Sequence, residues 1–208
     1  MEPPIKTTPE GPELEPRKIG HRWADLILAG SAILISVVSV VIAMHHSQVQ
    51  EELVAANSWP FLRYEHGNTN DEGVSEINME VRNVGVGPAL LKTLRITYDG
   101  EPVLTRMDLL NRCCGYNLMS ADERARTMIM SNPLHSAVVP AGEGKVFLSL
   151  RKDSSPAIWE KLNQERWKLK LEACYCSVLH ACWRSDLSGL EPERVKQCEH
   201  DPDLDFRD

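Results

Sequence analysis

The sequence lacks the short motifs that identify common active sites. It has no G-x-S-x-G elbow, no phosphate-binding loop, no H-E-x-x-H pair and no Rossmann glycine pattern. His66 and His135 stand apart from other candidate ligands, and the acidic run from Asp201 to Asp205 lacks the glycine and distal glutamate of a calcium loop. We therefore predict no catalytic residue, no cofactor and no dedicated metal site, and a protein that is not an enzyme.

Positive charge is scarce, and a glycosylation sequon is missing. The 208 residues carry a net charge of −7, and no basic patch with interleaved aromatic residues occurs. An acidic surface repels nucleic acid, so we predict no nucleic-acid partner. The absence of any Asn-x-Ser/Thr sequon fits a bacterial periplasm better than a eukaryotic secretory route.

One long apolar run, from Ala24 to Met44, is the most informative feature that the sequence does contain. Its single charge, Asp25, lies at its edge. A helix of this length measures roughly 31 Å, which matches the hydrocarbon core of a bilayer. Its Leu, Ile and Val residues favour insertion by roughly 3 to 7 kcal/mol. The run predicts one transmembrane helix over residues 23–45, with the lipid bilayer as its partner.

The charges that flank this run predict its orientation. Arg17, Lys18 and Arg22 precede it, and no Lys or Arg follows it until Arg63. Because the more positive flank stays in the cytoplasm, we expect a cytoplasmic N-terminus and an extracytoplasmic C-terminal domain. The alternative is a cleaved signal peptide, but the apolar core is too long and the nearest small-residue site, Val54 to Ala56, is too distant.

Composition divides the rest of the chain into four parts. Residues 1–22 are rich in Pro and Glu and predict a disordered cytoplasmic tail. Residues 46–58 predict a juxtamembrane helix or linker, and residues 59–198 predict one exterior domain with its own core. The acidic residues 199–208 predict a second disordered tail.

Alternating apolar residues predict a mainly β exterior domain. Residues 76–83 and 145–150 alternate with period two, as half-buried strands of antiparallel sheets do. Two further segments place one apolar set each on a single face: Trp167, Leu169, Leu171, Ala173 and Tyr175 in one, and Leu90, Leu94, Ile96 and Tyr98 in the other. We expect an antiparallel β-sandwich of about seven strands.

Helix signals in this domain are short and few. Ser120 and Glu123 have the spacing of a capping box, and Ser155 followed by Pro156 is a second start signal. A third helix is expected from Arg106 to Arg112. We therefore predict two or three short helices inserted in the connections of the sandwich.

The run Asn83-Val-Gly-Val-Gly-Pro-Ala and the later segment from Tyr175 to Trp183 carry a resemblance to a known group of proteins. Behind a single N-terminal span, they resemble uncharacterised bacterial membrane-anchored proteins with an immunoglobulin-like exterior domain. The resemblance implies an immunoglobulin-like β-sandwich and a location in the bacterial inner membrane. It implies no catalytic residue.

Six cysteines are the candidates for disulfide bonds: Cys113, Cys114, Cys174, Cys176, Cys182 and Cys198. An even count in an oxidising compartment favours structural bridges. A hairpin over residues 177–181 would bring Cys176 opposite Cys182. The adjacent Cys113 and Cys114 are each expected to reach a different, distant partner, and the full connectivity stays open among 15 pairings.

A second interpretation treats part of this set as a thiol or metal site. Cys174, Cys176, Cys182 and Cys198 would supply thiolates, with His180 and His200 nearby, and such ligands suit zinc or Cu(I). No C-x2-C pair is present, however, and we favour structural disulfides.

Small and polar residues recur along the apolar run in a 4-3-4-3 pattern that continues to Asn57. This spacing is typical of the seam of a left-handed helix pair, and small residues let two backbones approach in lipid. The seam consists of Ala29, Ala32, Ser36, Ser39 and Ala43. It predicts a homodimer, although small residues are common in membrane spans generally. For the exterior domain we expect a protein partner, and hence an interaction or scaffold module of the cell envelope.

Overall fold

The computed structural model describes residues 22–134 and 136–208. The chain divides into two compact units, with the boundary between Glu51 and Glu52. The N-terminal part is one long helix and the C-terminal part is built mainly from antiparallel sheets. This order confirms the prediction of an apolar helix followed by antiparallel strands. The predicted N-terminal tail, apart from Arg22, lies outside the described residues.

Helix α1 runs from Arg22 to Asn57. Among the residues that the structure describes, it alone is long and apolar enough to cross a membrane, judged by length and composition. None of its residues is buried. The hydroxyls of Ser36 and Ser39 donate to the carbonyls of Ala32 and Ile35, at 2.7 and 2.8 Å, so they are satisfied within the helix.

Ten strands form the sheets of the C-terminal part: β1 (Leu62–Gly67), β2 (Glu76–Asn83), β3 (Ala89–Tyr98), β4 (Glu101–Val103), β5 (Ile129–Met130), β6 (Val138–Val139), β7 (Gly144–Arg151), β8 (Leu169–Cys176), β9 (Cys182–Ser185) and β10 (Glu193–Val195). One sheet has the order β1-β2-β7-β5 and the other the order β10-β9-β8-β3-β4, with β6 also paired to β3. All of these pairings are antiparallel.

Side chains from both sheets belong to one hydrophobic cluster. Ile77, Met79 and Val81 of β2 are fully buried, and their spacing of two places them on one face of the strand. Leu171 and Tyr175 of β8 are buried in the same cluster. Period-two alternation therefore decides which face of these strands is covered.

Two details of the expected faces are wrong. A bulge between Leu91 and Thr93 shifts the register of β3 against β8, so that Leu91 is buried while Leu90 is only partly buried. An extra residue in a strand reverses the side-chain alternation beyond it, which the sequence pattern does not reveal. Trp167 lies in a one-turn 3-10 helix ahead of β8 and is 68% exposed, so it does not share the face of Leu169.

Three short α-helices lie in the connections: α2 (Arg106–Cys114), α3 (Ala121–Arg126) and α4 (Pro156–Glu165). The Thr105 side chain caps α2, and Gly115 ends it in the left-handed conformation, with φ of 70°. Ser120 and Glu123 form a capping box at the start of α3. Helix α4 buries Ile158, Trp159 and Leu162 on one face.

The Asn83-x-Gly-x-Gly run explains how the chain enters this part of the fold. Asn83 is fully buried, and its amide donates to the carbonyls of Gly87 and Val139, at 2.8 and 2.9 Å. Its side-chain oxygen accepts from the backbone N–H of Phe61 and of Gly85. A Cβ on Gly87 would collide with the backbone of Ser58. The motif thus clamps the segment before β1 against the loop after β2.

The C-terminal residues are part of the fold, which corrects the expectation of a disordered tail over residues 199–208. Phe206 is 3% exposed and its ring lies 6.0 Å from that of Phe147. The Phe206 N–H donates to the Leu94 carbonyl of β3 at 2.7 Å. The acidic composition suggested solvation, but one buried aromatic side chain and backbone hydrogen bonds fix the segment.

Candidate functional site

The cysteines of the second sheet form two neighbouring disulfides. Cys176 and Cys182 pair across the β8–β9 hairpin, with their Cα atoms 4.0 Å apart, as the hairpin argument expected. Cys174 pairs with Cys198, with Cα atoms 5.6 Å apart. The second bridge ties the segment beyond β10 to the middle of the sheet.

The adjacent cysteines at the end of α2 differ from expectation. Cys113 and Cys114 were expected to reach distant partners, but the structure joins them to each other. Cys114 is buried in the core, where no other cysteine is left to receive it. In the described residues every cysteine is therefore in a disulfide.

The face of β8 that carries Cys174 and Cys176 was interpreted as exposed. Both residues are in fact 6% exposed, because their own bridges bring other segments of the chain over this face. The sulfur atoms of Cys176, Cys182 and Cys198 all lie within 4.8 Å of one another. They line a groove of about 410 Å³ together with Lys92, Thr93, Ser136, Gln197 and His200. The predicted cluster therefore comes together in space, but as closed disulfides. His180, at the hairpin, has a positive φ of 62°.

Next to this groove, Asp205 is the centre of a polar network. Its carboxylate accepts from Arg95 Nε at 3.0 Å and from the backbone N–H of Asp201 at 2.8 Å. His200 Nδ1 lies 2.6 Å from the other contact oxygen. Asp205 is only 3% exposed, so these partners replace the water that its charge has lost.

A second polar cluster surrounds Arg166, which follows α4 and is 7% exposed. Arg166 Nη1 donates to His66 Nδ1 at 2.5 Å. The guanidinium carbon lies 4.6 Å from the centre of the Trp167 ring, and the His66 ring meets Trp167 edge-on at 4.7 Å. The Tyr64 ring lies 5.0 Å from His66. We call Tyr64, His66, Arg166 and Trp167 the Arg166 cluster.

This cluster has no negative charge within residues 22–134 and 136–208. No carboxylate forms an ion pair with Arg166, and neither Arg166 Nε nor the Tyr64 hydroxyl, both buried, has a hydrogen-bond partner there. Burial lowers the pKa of Arg166 and raises the pKa of Tyr64. Burial, and then the charge of Arg166, lower the pKa of His66.

The sequence interpretation missed this cluster because His66 was taken to stand alone. Its partners are about 100 residues away along the chain, and Arg166 sits among charged residues that resemble a solvated helix end. No local pattern marks such an arginine as buried. His135, the other histidine taken to stand alone, lies outside the described residues.

Exposed apolar side chains gather at one end of the domain. The register of β3 with β8 puts the hairpin tip beyond Cys176 at the same end as the Gly85–Gly87 loop. The backbone N–H of Val86 donates to the Trp59 carbonyl at 3.0 Å, which adds the segment before β1 to this end. We call it the apolar end; its members, each between 40% and 63% exposed, are Trp59, Val84, Val86, Val178 and Leu179.

The predicted seam residues lie along α1, and all of them are exposed: Ala29, Ala32, Ser36, Ser39 and Ala43. No protein-family model matches the chain, and no curated protein is significantly similar to it.

Proposed function

We propose that this protein is a membrane-anchored interaction module whose exterior domain is an immunoglobulin-like β-sandwich. Helix α1 anchors it in a bacterial inner membrane, with the N-terminus in the cytoplasm and the domain in the periplasm. The domain recruits a partner protein of the cell envelope and carries out no catalysis. Its relatives are the single-span bacterial proteins that the Asn83 to Ala89 run resembles.

The cysteines support the proposed compartment. All six are close enough to bond in pairs, and stable disulfides belong to oxidising compartments. The positive charges before α1 support the same orientation. A C-terminal reporter that is active only after export tests this arrangement. Activity of a cytosolic reporter at the same position would contradict it.

The apolar end is the observation that carries the interaction function. Five apolar side chains at one end of a domain form a patch that water solvates poorly, and such patches mark protein contacts. The Cys176–Cys182 bridge and the Asn83 hydrogen bonds hold two parts of this end. A braced surface loses little entropy when it binds, which favours recognition.

Site-specific crosslinking tests this function. A photoreactive amino acid replaces Val86 or Leu179 in the full chain, and membranes are irradiated before solubilisation. We expect one discrete crosslinked partner from both positions. The control position is Glu101, which is exposed in the β3–β4 turn at the opposite end of β3. Equal crosslinking from Glu101, or none from either apolar position, would contradict the proposal.

The second candidate function is thiol or metal handling by Cys174, Cys176, Cys182 and Cys198. The observation that favours it is the closeness of three sulfur atoms, which a thiophilic ion could bridge after reduction of both disulfides. Thiol counting with and without a dithiol reductant, together with elemental analysis, tests it. Stoichiometric zinc or copper in the purified protein would favour this function, and six permanently oxidised cysteines would exclude it.

We further propose that α1 self-associates in the membrane through its seam. Ala32 and Ser36 are exposed and small enough for close approach of two helices. Replacing both by Leu is expected to weaken association in a two-hybrid assay that works in membranes. The same change at Leu34 and Val38, off the seam, with Ile as the substitute, is the matched control. Equal association in both variants would contradict the seam.

A further inference from the structure

The charge of Arg166 is not neutralised by the acid closest to it in the sequence. Glu165 precedes Arg166 directly, but its carboxylate accepts from the Tyr98 hydroxyl at 2.5 Å and pairs with Lys168 Nζ at 2.7 Å. A guanidinium that has left water without an anion is unfavourable, so buried arginines are normally paired. The Arg166 cluster therefore holds a positive charge for which the described chain supplies no counter-charge.

The unused donors have the geometry of a carboxylate site. His66 occupies Nη1 of Arg166, which leaves the edge made by Nε and Nη2. This edge presents two parallel N–H groups, and that fork matches the two oxygens of a carboxylate. The Tyr64 hydroxyl is a further buried donor without a partner. We propose that the Arg166 cluster binds the carboxylate of an organic acid or of a partner protein.

Charge and surface chemistry narrow the ligand. One guanidinium neutralises one negative charge, and the chain as a whole is acidic, so a monovalent carboxylate suits the site better than a phosphate dianion. Trp167 stacks on the guanidinium and is 68% exposed, which provides an apolar face for the group attached to the carboxylate. An acid with an aromatic or aliphatic body fits both features.

Phenylacetate and phenylacetamide are the probes that test this site, because they differ in charge and hardly in shape. The full chain in lipid nanodiscs is titrated by calorimetry, and its thermal unfolding is followed with each probe. We expect phenylacetate to bind at least about tenfold more tightly than the amide, since only the acid makes the charged fork. Equal affinity, or binding of neither probe, would overturn the proposal.

Variants assign the binding to this cluster. Arg166→Gln is expected to lose phenylacetate binding, whereas Arg82→Gln, which removes an arginine already paired with Glu80, is expected to keep it. Tyr64→Phe deletes one hydroxyl and keeps the ring, so it tests the site even where Arg166→Gln fails to fold. We expect it to weaken binding by about fivefold. Full affinity in both cluster variants would overturn the assignment.

Two peptide arms identify the source of the carboxylate. This part of the inference rests on the proposed function, because a partner protein is one of the two sources. A phenylalanine-ending peptide with a free carboxylate is compared with its amidated form and with phenylacetate. Tighter binding of the free peptide supports a partner protein, and binding of phenylacetate alone supports a small acid. Binding of the probe without any crosslinked partner at the apolar end would refute the proposed function and keep the site.

Discussion

Asp205 and Arg166 are both buried charges, but their surroundings differ. Asp205 is 3% exposed and has a charged partner in Arg95, a backbone donor in Asp201 and a histidine within 2.6 Å. Arg166 is 7% exposed and has one neutral partner, His66, and an aromatic face. The two residues show the same loss of water with opposite compensation.

This difference separates a structural charge from a candidate binding charge. A buried ion that is fully paired holds segments of the fold in register, and removing its partner is costly. A buried ion without a counter-ion lowers stability, so its presence points to a role outside the folded core. Four substitution experiments test this contrast, and we give them in decreasing order of expected effect.

The largest effect is expected from the bridge that holds the Asp205 segment. Replacing Cys174 and Cys198 together by Ala opens a bridge with a separation of 24 residues. The chain-entropy relation gives a loss of about 3 kcal/mol in the free energy of unfolding. Denaturant unfolding of the full chain measures it. The Cys176 and Cys182 double variant closes only 6 residues and should lose about 1 kcal/mol less.

Asp205→Asn tests the paired charge itself. Asn keeps the shape of the side chain but removes the charge that faces Arg95, which leaves that guanidinium with Glu172 at 3.5 Å as its remaining acid. We expect a loss of about 2 kcal/mol in the free energy of unfolding. Unchanged stability would mean that the network is solvated and that the contrast with Arg166 is smaller than the geometry indicates.

Arg166→Met tests the unpaired charge, and its expected effect has the opposite sign. Methionine fills a similar volume without a charge, so the domain should gain about 1 kcal/mol in the free energy of unfolding. Arg95→Met is the matched control, and it should destabilise, because it leaves Asp205 buried without its cation. Equal losses in both variants would show that the two arginines are equally well compensated.

The sequence was informative where structure depends on local pattern. Alternation identified the buried face of β2, and the spacing of Cys176 and Cys182 across a hairpin located one bridge. Helix α1 follows from its apolar length alone. Each of these features depends on residues that are neighbours along the chain or one turn apart.

The features that the sequence missed depend on distant partners. His66 meets Arg166 about 100 positions away, and Asp205 meets Arg95 at a separation of 110. The C-terminal segment looks solvated by composition, yet Phe206 reaches the core. Long-range pairing is set by the topology of the sheets, which no short window of sequence encodes.

The smallest effect is a dependence of stability on pH that comes from His66. Burial and the charge of Arg166 lower the pKa of His66 below 6.5, so the folded state prefers the neutral ring. As pH falls below 6.5, the unfolded chain takes up this proton and the folded chain does not, so stability decreases until the folded pKa is reached. Above 6.5 the ring makes no difference.

Comparing the native chain with His66→Gln isolates this contribution, because the other histidines are present in both. The free energy of unfolding is measured between pH 5 and 7.5 for each, and the difference should shrink or reverse as the pH falls. Gln still offers an acceptor to Arg166 but cannot titrate, so its curve should be flatter in acid. Parallel curves would mean that His66 titrates alike in both states, and that the Arg166 cluster is more hydrated than its burial indicates.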